Sequence, residues 1–182
     1  MNYNSDAGQD AFVLNATKFK KHGFFLEFGA QHPINSNNTY ILDNEYNWIG
    51  MMVEWHNKYR HLYEEHRGED VMYVIEDALA LSYDSIFKEA EFPKNIDYLQ
   101  IDLEAGMLTP LDLLRKLENE VMDDYKFATV TFEHDIYCAR PNSRDNVGGE
   151  QNGWVPYNPE NFHEVRDKSR EIFEKHGYFC VF

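Results

Sequence analysis

Six runs of strand length, apolar almost without interruption, recur along the chain at residues 24–29, 49–54, 71–75, 96–102, 127–132 and 178–182. A strand with one wet face alternates apolar and polar residues, whereas a strand covered on both faces is apolar throughout. The pattern therefore predicts a mostly parallel sheet of about six strands between layers of helix. Amphipathic stretches separate the runs, and helices are expected over 10–21, 37–46, 57–66 and 84–90. Two further helices carry end signals. Thr109, Pro110 and Asp112 read as an N-cap, a first-turn proline and an acid facing the positive helix end, with Leu111, Leu114 and Leu117 on one face. Pro159 opens a segment whose Phe162, Val165, Ser169, Ile172 and Phe173 share a side, and Gly177 stands where a helix stops. The expected architecture is α/β in a single domain over 1–182, with an N-terminal helical segment at 1–22.

One stretch departs from this rhythm. Residues 139–158 are rich in Pro, Gly, Asn and charge and have no period, and they exceed the roughly 12–15 residues beyond which structureless connections become uncommon. Trp154 and Tyr157 near its end suit a lid over a ligand; a floppy insert is the other reading.

Charge and cysteine usage narrow the partners. With 17 Lys+Arg against 32 Asp+Glu the net charge is −15, and the basic residues are scattered, so nucleic acid is an unfavourable partner. Cys138 and Cys180 form neither a CxxC pair nor a disulfide framework, which fits a reducing, cytoplasmic setting. The longest apolar run, 23–30, is interrupted by Glu27 and is far short of the roughly 20 residues of a membrane span. The start of the chain lacks a basic-then-apolar leader pattern.

In an open parallel sheet the ligand crevice lies beyond the carboxyl ends of the strands. Five successive runs end in acids: Glu27, Glu54, Glu76 with Asp77, Asp102 with Glu104, and Glu133 with His134 and Asp135. Gly29 lets the backbone turn tightly after the first run, but Pro33 stands near where later glycines of a GxGxxG fingerprint would fall, so pyrophosphate binding is poorly supported. Glu54, 25 positions beyond Gly29, is placed to hold two ribose hydroxyls, and Trp55 beside it to pack on a flat base. A nucleoside without phosphates suits both features. S-Adenosylmethionine is such a compound and a net cation, which carboxylates such as Glu27 and Asp102 complement, with Asp77 and Ala78 at the adenine edge.

The segments Gly8-Gln9-Asp10, Gly23-Phe24-Phe25-Leu26-Glu27-Phe28-Gly29-Ala30, Ser36-Asn37-Asn38-Thr39-Tyr40, Trp48-Ile49-Gly50-Met51-Met52-Val53-Glu54 and Ile101-Asp102-Leu103-Glu104 occur in this order. Together they resemble the FkbM-type family of class I S-adenosylmethionine-dependent methyltransferases, over almost the whole chain. The resemblance implies a Rossmann-like, doubly wound fold with helices on both faces. It also implies S-adenosylmethionine as cofactor and methyl transfer, usually to a hydroxyl of a sugar or other small metabolite. It assigns Glu27, Gly29 and Ala30 to the first cofactor motif, Asn38 and Thr39 to a helix start near the methionine part, Glu54 to the ribose, and Asp102 with Glu104 to the fourth-strand motif. The chain departs from the family in three ways. His32-Pro33 replaces the usual Asp-Gly, the glycine after the fourth-strand acid is delayed to Gly106, and the expected final antiparallel strand is missing after the sixth run.

For a hydroxyl acceptor the chemistry needs a proton acceptor, and Glu133 or His134 is placed to serve, with Glu104 holding the acceptor; structural roles for the same residues are the alternative. No ligand spacing for a metal is recognised among these acids, and no required metal is expected. Two other functional classes stand beside this one: a non-catalytic binding or scaffold module on the same fold, and a dinucleotide or nucleotide-sugar enzyme.

Overall fold

The computed structural model describes residues 3–139 and 158–181. Trp154, Tyr157 and the rest of the expected lid between Ala139 and Asn158 lie outside the described residues. The chain packs as two compact units, one of residues 3–102 with 123–132 and one of residues 103–122 with 133–139 and 158–181.

The first unit holds the sheet. Strands β1 (Phe24–Phe28), β2 (Ile49–Glu54), β3 (Val71–Ile75), β4 (Asn95–Ile101) and β5 (Lys126–Phe132) are all parallel and lie in the order β3-β2-β1-β4-β5. The winding direction reverses between β1 and β4, as in Rossmann-like sheets. Flanking helices are α1 (Gln9–Ala16), α2 (Tyr40–Tyr46), α3 (Arg60–His66) and α4 (Tyr83–Glu89).

Register sorts the side chains between the two faces. Phe25 is level with Gly50 and Tyr98, and Glu27 with Met52 and Gln100, and residues level with one another in a sheet share a face. Phe25, Met52 and Tyr98 join Val13 and Leu14 of α1, Ile41, Leu42 and Tyr46 of α2, and Tyr63 of α3 in one buried cluster. On the opposite face Phe28 meets Tyr83 of α4 edge-on at 5.4 Å, and Phe24 meets Phe92 edge-on at 4.9 Å. Such aromatic pairs contribute about 0.5–1.5 kcal/mol beyond their burial. Burial on both faces explains why these strands read as continuous apolar runs. At Gly50 an added Cβ would collide with the Phe25 carbonyl of the neighbouring strand, so the contact between β1 and β2 demands glycine.

The amino-terminal arm is latched to the loop after β1. Asp10 is fully buried, and its carboxylate accepts from Asn4 N at 2.6 Å, Ser5 N at 3.2 Å, Ser5 Oγ at 2.6 Å and Ala11 N at 2.7 Å. Asn4 Nδ2 donates to the carbonyls of Ile34 and Asn37, and Ser5 bridges to Ser36.

In the second unit, α5 (Thr109–Glu120) and α6 (Pro159–Lys175) are joined where Lys175 Nζ and His176 Nε2 reach Glu118 Oε1 at 2.7 and 3.2 Å. Thr109 is not the cap expected of it: Leu108, at φ +63°, holds that position, and Thr109 is already helical. Pro159 begins α6 as expected. Asn158 caps it, its Oδ1 accepting from Glu160 N at 3.1 Å, and Gly177 ends it at φ +85°.

The sixth strand expected at 178–182 is not formed over its described residues, 178–181. Tyr178 N–H turns back to the Phe173 carbonyl at 2.9 Å and its ring packs edge-on against Phe173 at 5.8 Å. The residues after Gly177 therefore begin by closing the helix, and Phe179 is left 82% exposed. Among the described residues no helix is long and apolar enough to cross a membrane.

Candidate functional site

At the carboxyl ends of the strands the first unit assembles three of the acids singled out from sequence. Glu54 stands two residues beyond Met52 and Asp102 two beyond Gln100, and both Met52 and Gln100 are level with Glu27. Because side chains alternate with a period of two, all three carboxylates belong to one face of three adjacent strands, Glu27 one layer below the others. The backbone secures this edge. Gly29, at φ +81°, turns the chain so that its own N–H and that of Ala30 both donate to the Val53 carbonyl, at 3.0 and 3.2 Å, and Asp102 N donates to Phe28 O at 3.0 Å.

Glu27 is 1% exposed and surrounded by donors from the loop that follows β1. Its carboxylate accepts from Thr39 Oγ1 at 2.7 Å, Asn37 Nδ2 at 3.2 Å and Asn38 N at 3.2 Å. Burial nevertheless raises its pKa to about 7, against the opposing pull of Arg67 and these hydrogen bonds. Asn38 and Thr39, expected at a helix start, do lie just before α2, but they are turned inward to Glu27.

Arg67, which the sequence reading passed over, organises this loop. Its side chain is fully buried after α3 and donates to Pro33 O at 3.1 Å, Asn37 Oδ1 at 3.0 Å and Thr39 Oγ1 at 2.9 Å. Its Nε lies 2.9 Å from Asp43 Oδ2. Burial lowers the Arg67 pKa, and Glu27 and Asp43 counter that effect. His32-Pro33, the departure from the family pattern, is held within this arrangement: His32 Nδ1 accepts from Ile34 N and Asn35 N, both at 3.1 Å.

Glu54 is 4% exposed, its oxygens accepting from Gln31 N at 2.8 Å and His56 N at 2.7 Å. It thus pins the loops that follow both β1 and β2. Trp55 is 69% exposed and its ring lies 4.5 Å from that of His56. Asp77 is exposed, its Oδ1 accepting from Leu79 N at 2.9 Å, while Ala78 is buried and its carbonyl accepts from Tyr83 Oη at 2.6 Å.

Two acceptor atoms beside Glu27 are buried without a protein partner: Asn38 Oδ1 and Gln100 Oε1. Gln100 Nε2 donates to Asp102 Oδ2 at 3.3 Å. Orphaned buried acceptors require a donor from a ligand or water. Their chemistry, like that of the carboxylates around them, suits a group that carries N–H donors or positive charge.

Glu104, Glu133 and His134 belong to the second unit. All three are half-buried: Glu104 precedes the turn at Ala105–Met107, and Glu133 and His134 directly follow β5. His134 Nδ1 accepts from Ile136 N at 3.2 Å. Burial, then Arg170 and Arg166, lower its pKa and favour the neutral ring. A neutral imidazole whose Nδ1 accepts carries its hydrogen on Nε2 and is a donor there. Of the two residues proposed as proton acceptor, this geometry favours Glu133.

No group of three or more His, Cys, Asp or Glu side chains suited to a metal ion gathers among the described residues. Compared with protein-family models and with curated proteins, the chain matches none.

Proposed function

We propose that the chain is an S-adenosylmethionine-dependent methyltransferase that methylates a hydroxyl on a sugar or other small metabolite. The observation that carries this reading is the placement of Glu27, Glu54 and Asp102 on one face at the carboxyl ends of β1, β2 and β4, beside the switch in winding direction. A single glycine in the first turn and a rim of acids suit a phosphate-free, cationic nucleoside better than a dinucleotide. The buried acceptors Asn38 Oδ1 and Gln100 Oε1 fit the same ligand, since its ammonium offers the hydrogens they need.

When bound, the cofactor supplies an electrophilic methyl group on a sulfonium. The chain's own part is to bind and align. In this reading Glu54 takes the ribose hydroxyls while keeping its bonds to Gln31 and His56, each carboxylate oxygen having a second lone pair to offer. Trp55 covers the base, and Asp77 and Ala78 border its edge. Glu133 accepts the proton of the attacking hydroxyl, and Glu104 holds the acceptor. Alignment of reactants contributes several kcal/mol, with about 7–11 kcal/mol as the range for well-oriented groups. The proposed setting is cytoplasmic, the reading suggested by only two cysteines that stand in no CxxC pair.

Titration calorimetry with S-adenosylmethionine, set beside NAD and a nucleotide sugar, tests the assignment. Selective binding of the methyl donor supports it. No binding at millimolar ligand favours instead a non-catalytic binding module, the reading suggested by the His32-Pro33 loop that Arg67 holds through the Pro33 carbonyl.

A further inference from the structure

Thr39 stands at a branch point of the buried network. Its Oγ1 lies 2.7 Å from Glu27 Oε2 and 3.2 Å from Asn37 Oδ1, and it accepts from Arg67 Nη2 at 2.9 Å. A hydroxyl has one hydrogen to donate, so it serves one of the two oxygens at a time. With Glu27 ionised, that hydrogen points to Glu27 Oε2. With Glu27 protonated, the carboxyl O–H donates to Thr39 Oγ1 along the same line, and Thr39 turns its hydrogen to Asn37 Oδ1. Both protonation states are reached by rotation of one hydroxyl, with the heavy atoms where they stand. In the protonated state Asn37 Oδ1, which already accepts from Thr39 N and Arg67 Nη1 at 3.0 Å each, shares its lone pairs with this third donor at 3.2 Å.

The surroundings leave the two states close in free energy. Arg67, following α3, favours the carboxylate, as do the donors from Asn37 and Asn38. Burial opposes it and places the midpoint at about 7. The other ionisable groups that feel Glu27 are Tyr63 of α3 and Tyr98 of β4; Tyr63 in turn feels Glu54 at the end of β2 and Tyr59, and Tyr98 feels Asp102 at the end of β4 and Asp10 of α1. Asp43 of α2 is engaged by Arg67. A cation arriving beside Glu27 shifts the balance to the carboxylate.

We propose that the Glu27–Thr39–Asn37 chain holds one proton while no cation is bound and releases it to solvent when a cationic ligand docks at the carboxyl ends of β1 and β4. The carboxyl O–H of Glu27 is the bond that breaks, its proton passes to the buffer, and the Thr39 hydrogen swings from Asn37 to Glu27. The inference rests on the proposed function in one respect: it takes S-adenosylmethionine as the cation.

Two measurements test it. Infrared difference spectra of the wild type against E27Q across pH report the carboxyl group of Glu27 with no ligand present. A protonated carboxyl band lost near neutrality is expected, and in T39V, which cannot stabilise the anion, its midpoint moves upward by about one unit or more. A Glu27 ionised down to the ordinary carboxylate range, or a midpoint untouched by T39V, overturns the switch. Calorimetry with S-adenosylmethionine in two buffers of different ionisation enthalpy then counts protons. Release approaching one per ligand is expected about a unit below the Glu27 midpoint, fading about a unit above it and absent in E27Q. Binding without release overturns the coupling. Absence of binding in both buffers overturns the coupling and the proposed function together, while the spectra still decide whether the switch itself exists.

Discussion

Arg67 and Glu27, 40 positions apart in the chain, are bridged by Thr39, whose Oγ1 accepts from Arg67 Nη2 at 2.9 Å and donates to Glu27 Oε2 at 2.7 Å, and by the side-chain amide of Asn37. The cation thereby reaches a carboxylate on the central strand while also holding the loop between β1 and α2. This arrangement ties the acid on the central strand to the loop that carries Asn37 and Thr39.

The first prediction concerns pH and stability. The Glu27 pKa rises from 4.5 to about 7 on folding, so between those values the native state binds more protons than the unfolded chain. Its contribution is fully present below the unfolded value and is lost as pH rises through about 7. A rise of this size corresponds to at most about 3 kcal/mol. Urea denaturation of the wild type is expected to show stability falling across this window relative to E27Q, and parallel profiles for the two proteins would remove Glu27 as the cause.

Removing the guanidinium should be costly. R67M leaves Asp43 without its cation and strips donors from the Pro33 carbonyl, Asn37 and Thr39. Breaking a buried charged network in this way costs about 3–5 kcal/mol. Denaturant melts of R67M are expected to show a loss of that order, and a loss below about 1 kcal/mol would contradict the role given to Arg67.

For the ribose assignment the informative variant is E54A. It removes the acceptor for Gln31 N and His56 N as well as the proposed contact to two hydroxyls. Hydrogen bonds to a charged group are worth about 1.5–3 kcal/mol each, so affinity for S-adenosylmethionine is expected to fall at least about tenfold by calorimetry. Unchanged affinity in a folded E54A protein would displace the ribose from this carboxylate.

The two candidates after β5 separate by their hydrogens. E133Q cannot accept the proton of a hydroxyl and is expected to lose about a hundredfold or more in kcat. H134Q retains an amide donor in place of Nε2–H and is expected to keep most of its turnover. The reverse order would reassign the base to His134.

G50A probes the sheet itself. The added methyl group would collide with the Phe25 carbonyl on β1, where Phe25 is fully buried and has no room to yield. Loss of cooperative melting by circular dichroism is expected, whereas a wild-type melting curve would mean that β1 and β2 can separate without penalty.

The sheet was legible because its cause is local. Phe25, Met52 and Leu99 lie in strands buried on both faces, and each leaves a largely apolar run in the sequence. The acid-tipped strand ends were equally visible at Glu27, Glu54 and Asp102. Arg67 was not, because a basic residue followed by Gly68 reads as an ordinary helix end, and only the folded chain brings it to Pro33, Asn37 and Thr39. Asn37 carries no local signal beyond its place just before a helix, and its contacts to Glu27 and Arg67 exist only in the folded chain. The stretch after Gly177 has the composition of a strand, but Tyr178 spends its backbone donor and its ring on Phe173. At the start of α5 Thr109 has a capping side chain, yet the left-handed backbone of Leu108 moves the boundary one residue earlier.

The latch at Asp10 makes residues 4–10 a structural strut for the loop that carries Asn37 and Thr39. Replacing Asp10 with alanine would release Asn4 and Ser5 from their anchor, and with them the ties to Ile34, Ser36 and Asn37.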